Sequence, residues 1–318
     1  MIGKQVKKAV SKQLKLIKLV FNYAKYFTLK QPKQKLIVVC FDGLFPHGGL
    51  VDRLKGIVSF YQVAQELGYD FKVLFDNPFD LTMVLEPNQV DWQINRDQLK
   101  WHPTKSKFLY LVNNFNTNPL QIIKQSKAQT FYVYANIDYA KTMFPNLSTL
   151  QLESKWRTSF NTLFKKSNLL ETKLNQIELA PYIAFHSRFT SLMGDFVDTT
   201  TKVLSEEEKT MLLKQLLNCI EKVKAENNLP AYVFSDSVNF IDYIKQHSII
   251  KTVKGNPFHM DNFEGNSNIE GHLKTLIDFF MISKSQKVYF LNIKPMYNSS
   301  FSKYAAIIGN TKFIRLES

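Results

Sequence analysis

Residues 36–75 read LIVVCF-DGLFPHGG-LVDRLKGIVSFYQVAQEL-GYD-FKVLF, with the segments starting at 36, 42, 50, 68 and 71. The continuous apolar run at 36–41 is typical of a strand that is buried on both faces. Apolar residues then recur at helical spacing from Leu50 to Leu67, and Gly68 predicts the C-cap of that helix. The apolar run at 71–75 predicts the next strand. Strand, helix and strand in this order indicate a βαβ unit with a right-handed crossover.

The same alternation of strands and helices continues along the chain. Further strands are predicted at 108–112, 131–134, 182–185, 232–234, 249–253, 288–291 and 312–315. Helices are predicted at 205–226, where Ser205 and Glu208 have the spacing of a capping box, at 268–283 and at 299–309. A chain of 318 residues is long enough for two domains. We therefore predict an α/β protein with two Rossmann-like domains that face each other across a cleft.

We place the domain boundaries where the pattern of strands and helices changes. The expected segments are a basic amphipathic segment at 1–35, an N-terminal domain at 36–150, a polar helical connection at 151–179 and a C-terminal domain at 180–318.

The positive charge is concentrated at the N-terminal end of the chain. Residues 1–35 contain ten lysines and no acidic residue, so they supply ten of the fourteen net positive charges. Helical spacing places one set of apolar side chains on the face opposite most of these lysines: Val6, Val10, Leu14, Ile17, Phe21 and Ala24. This pattern predicts either an interfacial helix on an anionic membrane surface or a helix docked on its own domain.

Composition argues against several other classes of protein. Cys40 and Cys219 are too few for a disulfide framework and are expected to be reduced thiols. The N-terminal apolar stretch is interrupted by lysines, so it resembles neither a secretory signal nor a membrane span. We therefore expect a cytoplasmic protein on the inner face of the cytoplasmic membrane. The sequence has no Asp-x-Asp or other metal-binding motif, so we expect no bound metal ion. It has no basic-aromatic motif of nucleic-acid-binding proteins, so we expect no nucleic-acid partner.

Ligands of open α/β sheets bind at the carboxyl ends of the strands, and polar residues follow several predicted strands. In the first half, His47, Gly48 and Gly49 lie in the loop after the strand at 36–41, and Asp52 and Arg53 lie in the first turn of the next helix. Paired glycines let the backbone approach a ligand closely. The alternative is an ordinary strand-to-helix turn with Arg53 on the surface.

Three segments of the second half carry similar residues. They are His186 with Arg188, Ser235 with Asp236, and the start of a helix at Ser299, Ser300, Phe301 and Ser302. An arginine at a strand end can hold two phosphate oxygens, and free N–H groups at a helix start also bind anions. The alternatives are a core histidine, a surface ion pair for Arg188, and ordinary helix caps at the other two segments.

Taken in order, these segments resemble the fucosyltransferase superfamily of GT-B glycosyltransferases. The similar motifs are His47-Gly-Gly-Leu-Val-Asp-Arg-Leu, His186-Ser-Arg188, Ser235-Asp236 and Ser299-Ser-Phe-Ser302. The resemblance implies inverting transfer of fucose from GDP-fucose to a glycan or lipid-linked glycan of a surface polysaccharide, without metal or another cofactor.

The resemblance also implies roles for individual residues. It implies that Arg188 binds the β-phosphate, that Asp236 contacts the guanosine and that residues 299–302 hold the diphosphate. Gly48, Gly49 and Arg53 would line the acceptor side of the cleft. By chemistry alone, Asp52, His47 and Asp195 are the candidate catalytic bases.

Two alternatives to a fucosyltransferase stay open at this point. The first keeps the fold and the reaction type with a different nucleotide-sugar donor. The second is a non-catalytic, membrane-associated binding module, in which Arg188 would be paired with a structural carboxylate.

Overall fold

A computed structural model describes residues 2–177, 180–198, 200–261 and 269–317, with side chains described at 11 and from 13 onward. The chain forms two compact units, Met1–Leu81 with Pro87–Lys165, and Thr82–Glu86 with Lys166–Ser318. Each unit has its own parallel β-sheet with helices, which confirms the predicted α/β class. Among the described residues, every helix is too short or too polar to cross a bilayer.

The first unit is built on a parallel sheet of four strands in the order β2-β1-β5-β4. The strands from residue 36 to residue 166 are β1 (Leu36–Phe41), β2 (Asp70–Phe75), β3 (Leu85–Pro87), β4 (Ser106–Tyr110), β5 (Thr130–Tyr134) and β6 (Phe164–Lys166). The helices from residue 2 to residue 163 are α1 (Ile2–Tyr23), α2 (Leu50–Leu67), α3 (Pro119–Lys124), α4 (Ala140–Met143) and α5 (Thr149–Leu163), with 3-10 turns at Ala24–Tyr26, Leu81–Met83 and Arg96–Gln98.

The predicted βαβ unit is confirmed, and β1 lies inside the sheet because it has no polar side chain to expose. Val39 of β1 lies opposite Val73 of β2 on one side and Val133 of β5 on the other. Helix α2 crosses between β1 and β2 and ends at Gly68, whose left-handed φ of 65° supports the predicted C-cap.

Helix α1 packs on the first unit through a different face from the predicted apolar face. Leu19 and Tyr23 are buried, and the Tyr23 hydroxyl bonds to Sγ of Cys40 at 3.3 Å and lies 3.1 Å from the Tyr134 hydroxyl. Tyr23 also packs against Tyr132, with ring centroids 4.7 Å apart. Residues 1–35 are therefore not a separate segment, because α1 contributes to the core beside β1 and β5.

The second unit is built on a parallel sheet of five strands in the order β11-β10-β7-β8-β9. The strands are β7 (Ile183–Ser187), β8 (Ala231–Ser235), β9 (Lys251–Thr252), β10 (Lys287–Leu291) and β11 (Lys312–Leu316). The helices are α6 (Asn168–Asn175), α7 (Glu206–Ala225), α8 (Val238–His247), α9 (Ile269–Lys284) and α10 (Phe301–Gly309). Strand β7 lies at the centre of this sheet, so its carboxyl end is flanked by those of β8 and β10.

Helix α7 begins with the capping box that the sequence predicts. Ser205 Oγ accepts a hydrogen bond from the Glu208 N–H at 3.3 Å, and Glu208 Oε2 accepts one from the Ser205 N–H at 2.8 Å. Each side chain satisfies a backbone donor that the first turn of a helix leaves unpaired.

The predicted connection at 151–179 is wrong as one segment. Helix α5 packs on α2 in the first unit and buries Trp156, Phe160 and Leu163, whereas α6 belongs to the second unit. The short strand β6 lies between the two helices and pairs with β3. The sequence suggested a polar connector because only one stripe of α5 is apolar.

Several predicted bounds also shift. Strand β9 is confined to Lys251–Thr252 and α10 begins at Phe301 rather than Ser299. The predicted start of a helix at Asn268 lies outside the described residues, and α9 is described from Ile269.

Candidate functional site

The loop between β1 and α2 is held by a buried arginine. Arg53 Nε donates a hydrogen bond to the Gly48 carbonyl at 3.2 Å, and Nη1 donates one to the Asn77 carbonyl at 2.9 Å. Its guanidinium also lies over the rings of Phe41 and Phe75, at 5.6 and 5.4 Å from their centroids. The alternative of a surface arginine is therefore wrong, because Arg53 is only 2% exposed and fixes the loop carbonyl.

His47 lies in the same loop and is almost fully buried. Its ring packs edge-on against Phe41, with centroids 4.6 Å apart, and stacks near Tyr134. Burial, with the charge of Arg53 as the second cause, lowers the pKa of His47 to about 3. The imidazole is therefore neutral at physiological pH and inaccessible, which makes it a poor candidate for the catalytic base.

Gly48 is required by the close approach of Asp52. Gly48 has a φ of +84°, and a Cβ at this position would lie 2.5 Å from Oδ2 of Asp52. Both the left-handed backbone and the lack of space favour glycine here. Gly49 is the N-cap of α2, and the half-exposed Asp52 pairs with Lys55 at 3.0 Å.

Asp42 is a carboxylate at the end of β1 that our sequence analysis missed. Its Oδ2 accepts a hydrogen bond from the Tyr134 hydroxyl at 2.6 Å, and Oδ1 accepts one from the Leu44 N–H at 3.1 Å. Burial raises the pKa of Asp42, and the hydrogen bond from Tyr134 opposes that rise. The sequence could have identified Asp42 by the rule that identified Asp236, because each of these residues directly follows a buried strand.

In the second unit, Arg188 follows the end of β7 and is held by two carboxylates. Its guanidinium forms a close ion pair with Asp198 and lies 3.3 Å from Asp236 Oδ2. It also lies over the Phe196 ring, 4.7 Å from the centroid. The Arg188 side chain is 18% exposed, so it can still be reached from solvent.

Asp236 shapes the backbone around Arg188. Its Oδ1 accepts a hydrogen bond from the Phe189 N–H at 2.8 Å, and Oδ2 accepts one from the Thr190 N–H at 2.7 Å. Burial raises the pKa of Asp236, and the charge of Arg188 is the main opposing cause. The guanosine contact stays a prediction, but these bonds make Asp236 a positioning residue for the segment after β7.

His186 joins β7 to the start of α10. Its ring stacks between Phe290 and Phe301, with centroid distances of 5.7 and 5.3 Å. Burial, with Arg188 as the second cause, lowers the pKa of His186 to about 3. Among the described residues, Nδ1 of His186 and Oγ of the buried Ser302 have no hydrogen-bond partner. In the same described part of the chain, Asp195 Oδ1 and Asn292 Oδ1 are buried without a partner as well, so these atoms do not by themselves indicate a ligand.

Hydrogen bonds join the three polar segments of the second unit. Ser187 Oγ donates to Ser235 Oγ at 3.0 Å, which links the ends of β7 and β8. The Tyr297 N–H donates to the Arg188 carbonyl at 3.2 Å, and Ser299 Oγ accepts from the Phe301 N–H at 3.2 Å. The segment before α10, with Ser300 as its N-cap, therefore lies beside the loop that carries Arg188.

Asp195, another candidate base, occupies a structural position. Its Oδ2 accepts hydrogen bonds from Ser237 Oγ at 2.8 Å and from the Asn239 N–H at 2.7 Å, at the start of α8. In the part of the chain that the structure describes, histidine, cysteine and acidic side chains form no cluster of three or more that could hold a metal ion.

Comparisons of sequence and of structure give different results for this chain. No protein-family model and no curated protein matches the sequence. Solved structures do match the fold. NodZ α-1,6-fucosyltransferase soaked with GDP-fucose has a TM-score of 0.57 at 16% identity, over 87% of this chain and 93% of that chain.

Two further solved structures give similar values. NodZ co-crystallised with GDP has a TM-score of 0.54 at 17% identity, over 86% of this chain and 92% of that chain. A mutant of Arabidopsis thaliana FUT1 in complex with GDP has a TM-score of 0.57 at 13% identity, over 95% of this chain and 74% of that chain. These likenesses show that the chain shares its fold with the solved fucosyltransferases.

Proposed function

We propose that the protein is an inverting, metal-independent glycosyltransferase that transfers fucose from GDP-fucose to a glycan or lipid-linked glycan acceptor. The observation that carries this proposal is the direct bonding of the segment with Arg188 to Asp236, just after β8, and to Tyr297 before α10. The likeness to solved fucosyltransferases whose crystals hold GDP-fucose or GDP supports the choice of donor.

The chemistry requires positive charge and fixed donors at the leaving diphosphate. In an inverting transfer, the acceptor oxygen attacks the anomeric carbon while the bond from that carbon to the β-phosphate oxygen breaks. The acceptor proton passes to a base, and the negative charge of the departing GDP grows. Arg188 would hold two phosphate oxygens, and the N–H groups at the start of α10 would add donors.

Asp52 is our candidate for the base. His47 is buried and has a strongly lowered pKa, while Asp195 caps α8. The side chain of Asp52 is 41% exposed and carries a carboxylate.

In this proposal Arg188 exchanges one of its carboxylate partners for phosphate, because both carboxylates compete with the phosphate for its charge. Asp236 is held by two backbone N–H groups, so Asp198 is the partner that would be displaced. The same ion pairs fit the non-catalytic alternative, in which no nucleotide competes for Arg188. The two functions therefore differ in how the protein responds to GDP.

Titration calorimetry with GDP, UDP, CMP and their sugars, in the presence of EDTA, tests the proposal. We expect GDP and GDP-fucose to bind without metal. In a separate assay of sugar transfer, Arg188→Lys should lower the rate by about 10²–10³-fold, since lysine lacks the two-pronged guanidinium. Arg315→Lys in β11 is the matched control and should leave transfer unchanged, because Arg315 pairs with Glu317 near the surface. Full transfer activity in Arg188→Lys would contradict the phosphate role.

Asp198→Asn separates the catalytic proposal from the binding-module alternative. We expect this variant to bind GDP more tightly than the wild type, because a neutral amide competes less strongly for Arg188. Weaker GDP binding would show that Asp198 orients Arg188 instead. No binding of any nucleotide by the folded wild type would favour the binding module.

A further inference from the structure

Helix α1 has two apolar faces, and only one of them is covered. Leu19 and Tyr23 are no more than 1% exposed and pack on the first unit. Leu14, Ile17 and Phe21 are 61%, 51% and 77% exposed. We call these last three residues the apolar ridge.

The ridge is a continuous stripe that points away from the core. At about 100° per residue, Leu14, Ile17 and Phe21 fall within roughly 60° of one another and lie opposite the buried face. Exposed Phe27 and Leu29 follow shortly after the helix. Large exposed apolar patches on soluble proteins commonly mark interaction surfaces.

The charge around the ridge indicates the chemistry of the partner. The positively charged side chains among residues 1–35 are ten lysines, and no acidic residue in this segment balances them. Lys15 donates to the Tyr110 hydroxyl and Lys18 to the Leu44 carbonyl, so these two help to hold α1 on the unit. Lys25, Lys30 and Lys33 are exposed. An exposed apolar stripe beside unbalanced positive charge is complementary to an anionic lipid surface.

We propose that the first unit binds an anionic lipid bilayer through α1, with the ridge inserted at the level of the headgroups and the lysines against lipid phosphates. The docked face explains why α1 would lie flat on the bilayer, since Leu19 and Tyr23 keep the helix attached to its sheet. This proposal is independent of the glycosyl transfer proposed above. A nucleic acid or an acidic protein segment would satisfy the lysines but would leave the ridge in water.

Vesicle flotation with the full-length protein tests this surface. The vesicles contain either phosphatidylcholine alone or equal parts of phosphatidylcholine and phosphatidylglycerol. The ridge variant is Leu14→Ser, Ile17→Ser and Phe21→Ser. Its matched control replaces three exposed apolar residues elsewhere, Leu150→Ser, Met211→Ser and Ile249→Ser.

A second pair of variants tests the charge. The charge variant is Lys25→Gln, Lys30→Gln and Lys33→Gln. Its control removes three exposed lysines of the second unit, Lys214→Gln, Lys222→Gln and Lys284→Gln.

We expect the wild type and both controls to float with the anionic vesicles and not with phosphatidylcholine alone. Each test variant carries three changes and should bind the anionic vesicles about a hundredfold more weakly, since each near-surface lysine contributes about fivefold and each inserted apolar side chain at least as much. Added salt should weaken the wild type but change the charge variant less.

Three results would overturn the proposal. The first is equal vesicle binding by the ridge variant and the wild type, and the second is equal binding of the wild type to neutral and anionic vesicles. The third is a wild type that forms a dimer and does not bind vesicles, together with a ridge variant that is a monomer. The last result would make a second copy of this chain the occupant. Circular dichroism tests whether each variant is folded. If the triple ridge variant is unfolded, the single change Phe21→Ser replaces it in the flotation experiment.

Discussion

Replacing Asp236 with asparagine should both destabilise the second unit and weaken GDP binding. The carboxylate is buried, and its two oxygens accept hydrogen bonds from the Phe189 and Thr190 N–H groups at 2.8 and 2.7 Å. Asparagine has the same shape, but its NH₂ group must face one of these two donors. One buried N–H group is then left without an acceptor, which costs about 1–3 kcal/mol.

The change also removes a charge beside Arg188. Breaking a fully buried ion pair costs about 3–5 kcal/mol. Arg188 is partly exposed and keeps Asp198, so the cost of the lost charge should be well below that range. We therefore expect the free energy of unfolding to fall by about 2–4 kcal/mol in Asp236→Asn.

Urea unfolding monitored by fluorescence measures this loss, and Asp242→Asn is the matched control. Asp242 lies in the same unit, pairs with Lys245 and is 51% exposed, so its replacement should cost less than about 1 kcal/mol. GDP titration of the folded variant should also show weaker binding, because the segment that carries Arg188 is no longer held. A loss of stability equal to that of the control, with unchanged GDP affinity, would refute the positioning role of Asp236.

Three further results are expected. Because His47 and His186 have pKa values of about 3 in the folded protein, against about 6.5 in an unfolded chain, stability should fall as the pH drops below about 6.5. Between about pH 6.5 and pH 5, each histidine should lower the free energy of unfolding by about 2 kcal/mol. In urea unfolding, His186→Gln should therefore lose about 2 kcal/mol less than the wild type over this pH range. An equal loss in the two proteins would contradict a buried neutral His186. Leu19→Ala should lower the free energy of unfolding by about 2–5 kcal/mol, whereas exposed Leu14→Ala should change it by less than about 0.5 kcal/mol; equal losses would show that α1 does not dock through Leu19. Transfer activity should be unchanged by EDTA, since the sequence has no Asp-x-Asp motif, and activity that EDTA removes and Mn²⁺ restores would contradict the proposal.

The docking of α1 changes how its function must be tested. The sequence analysis placed residues 1–35 in a segment of their own, either on a membrane surface or docked on the neighbouring domain. Leu19 and Tyr23 belong to the core of the first unit, so deletion of residues 1–35 would remove buried apolar surface and should destabilise this unit. Surface variants of the ridge avoid this ambiguity because they leave the docked face intact.

Local sequence patterns were enough to predict the class of fold. The apolar run at 36–41, the helical spacing after Leu50, Gly68 and the Ser205–Glu208 box each depend on residues within a few positions of one another. The same local rule placed Arg188 and Asp236 at the carboxyl ends of strands, because a polar residue after a buried strand must lie at that edge of a parallel sheet.

Contacts between residues that are distant in the chain were decided only by the tertiary structure. The periodicity of α1 identifies its apolar stripes but not which stripe meets the sheet, since that depends on the partners Cys40, Tyr132 and Tyr134. In the same way, the sequence shows Arg53 as a charged residue in a first helical turn. Its burial follows from the Asn77 carbonyl, 24 positions away, and from two aromatic rings that no local pattern joins to it. Hydrophobic periodicity reports which side chains prefer to be buried, while the chain's long-range packing determines which of them are.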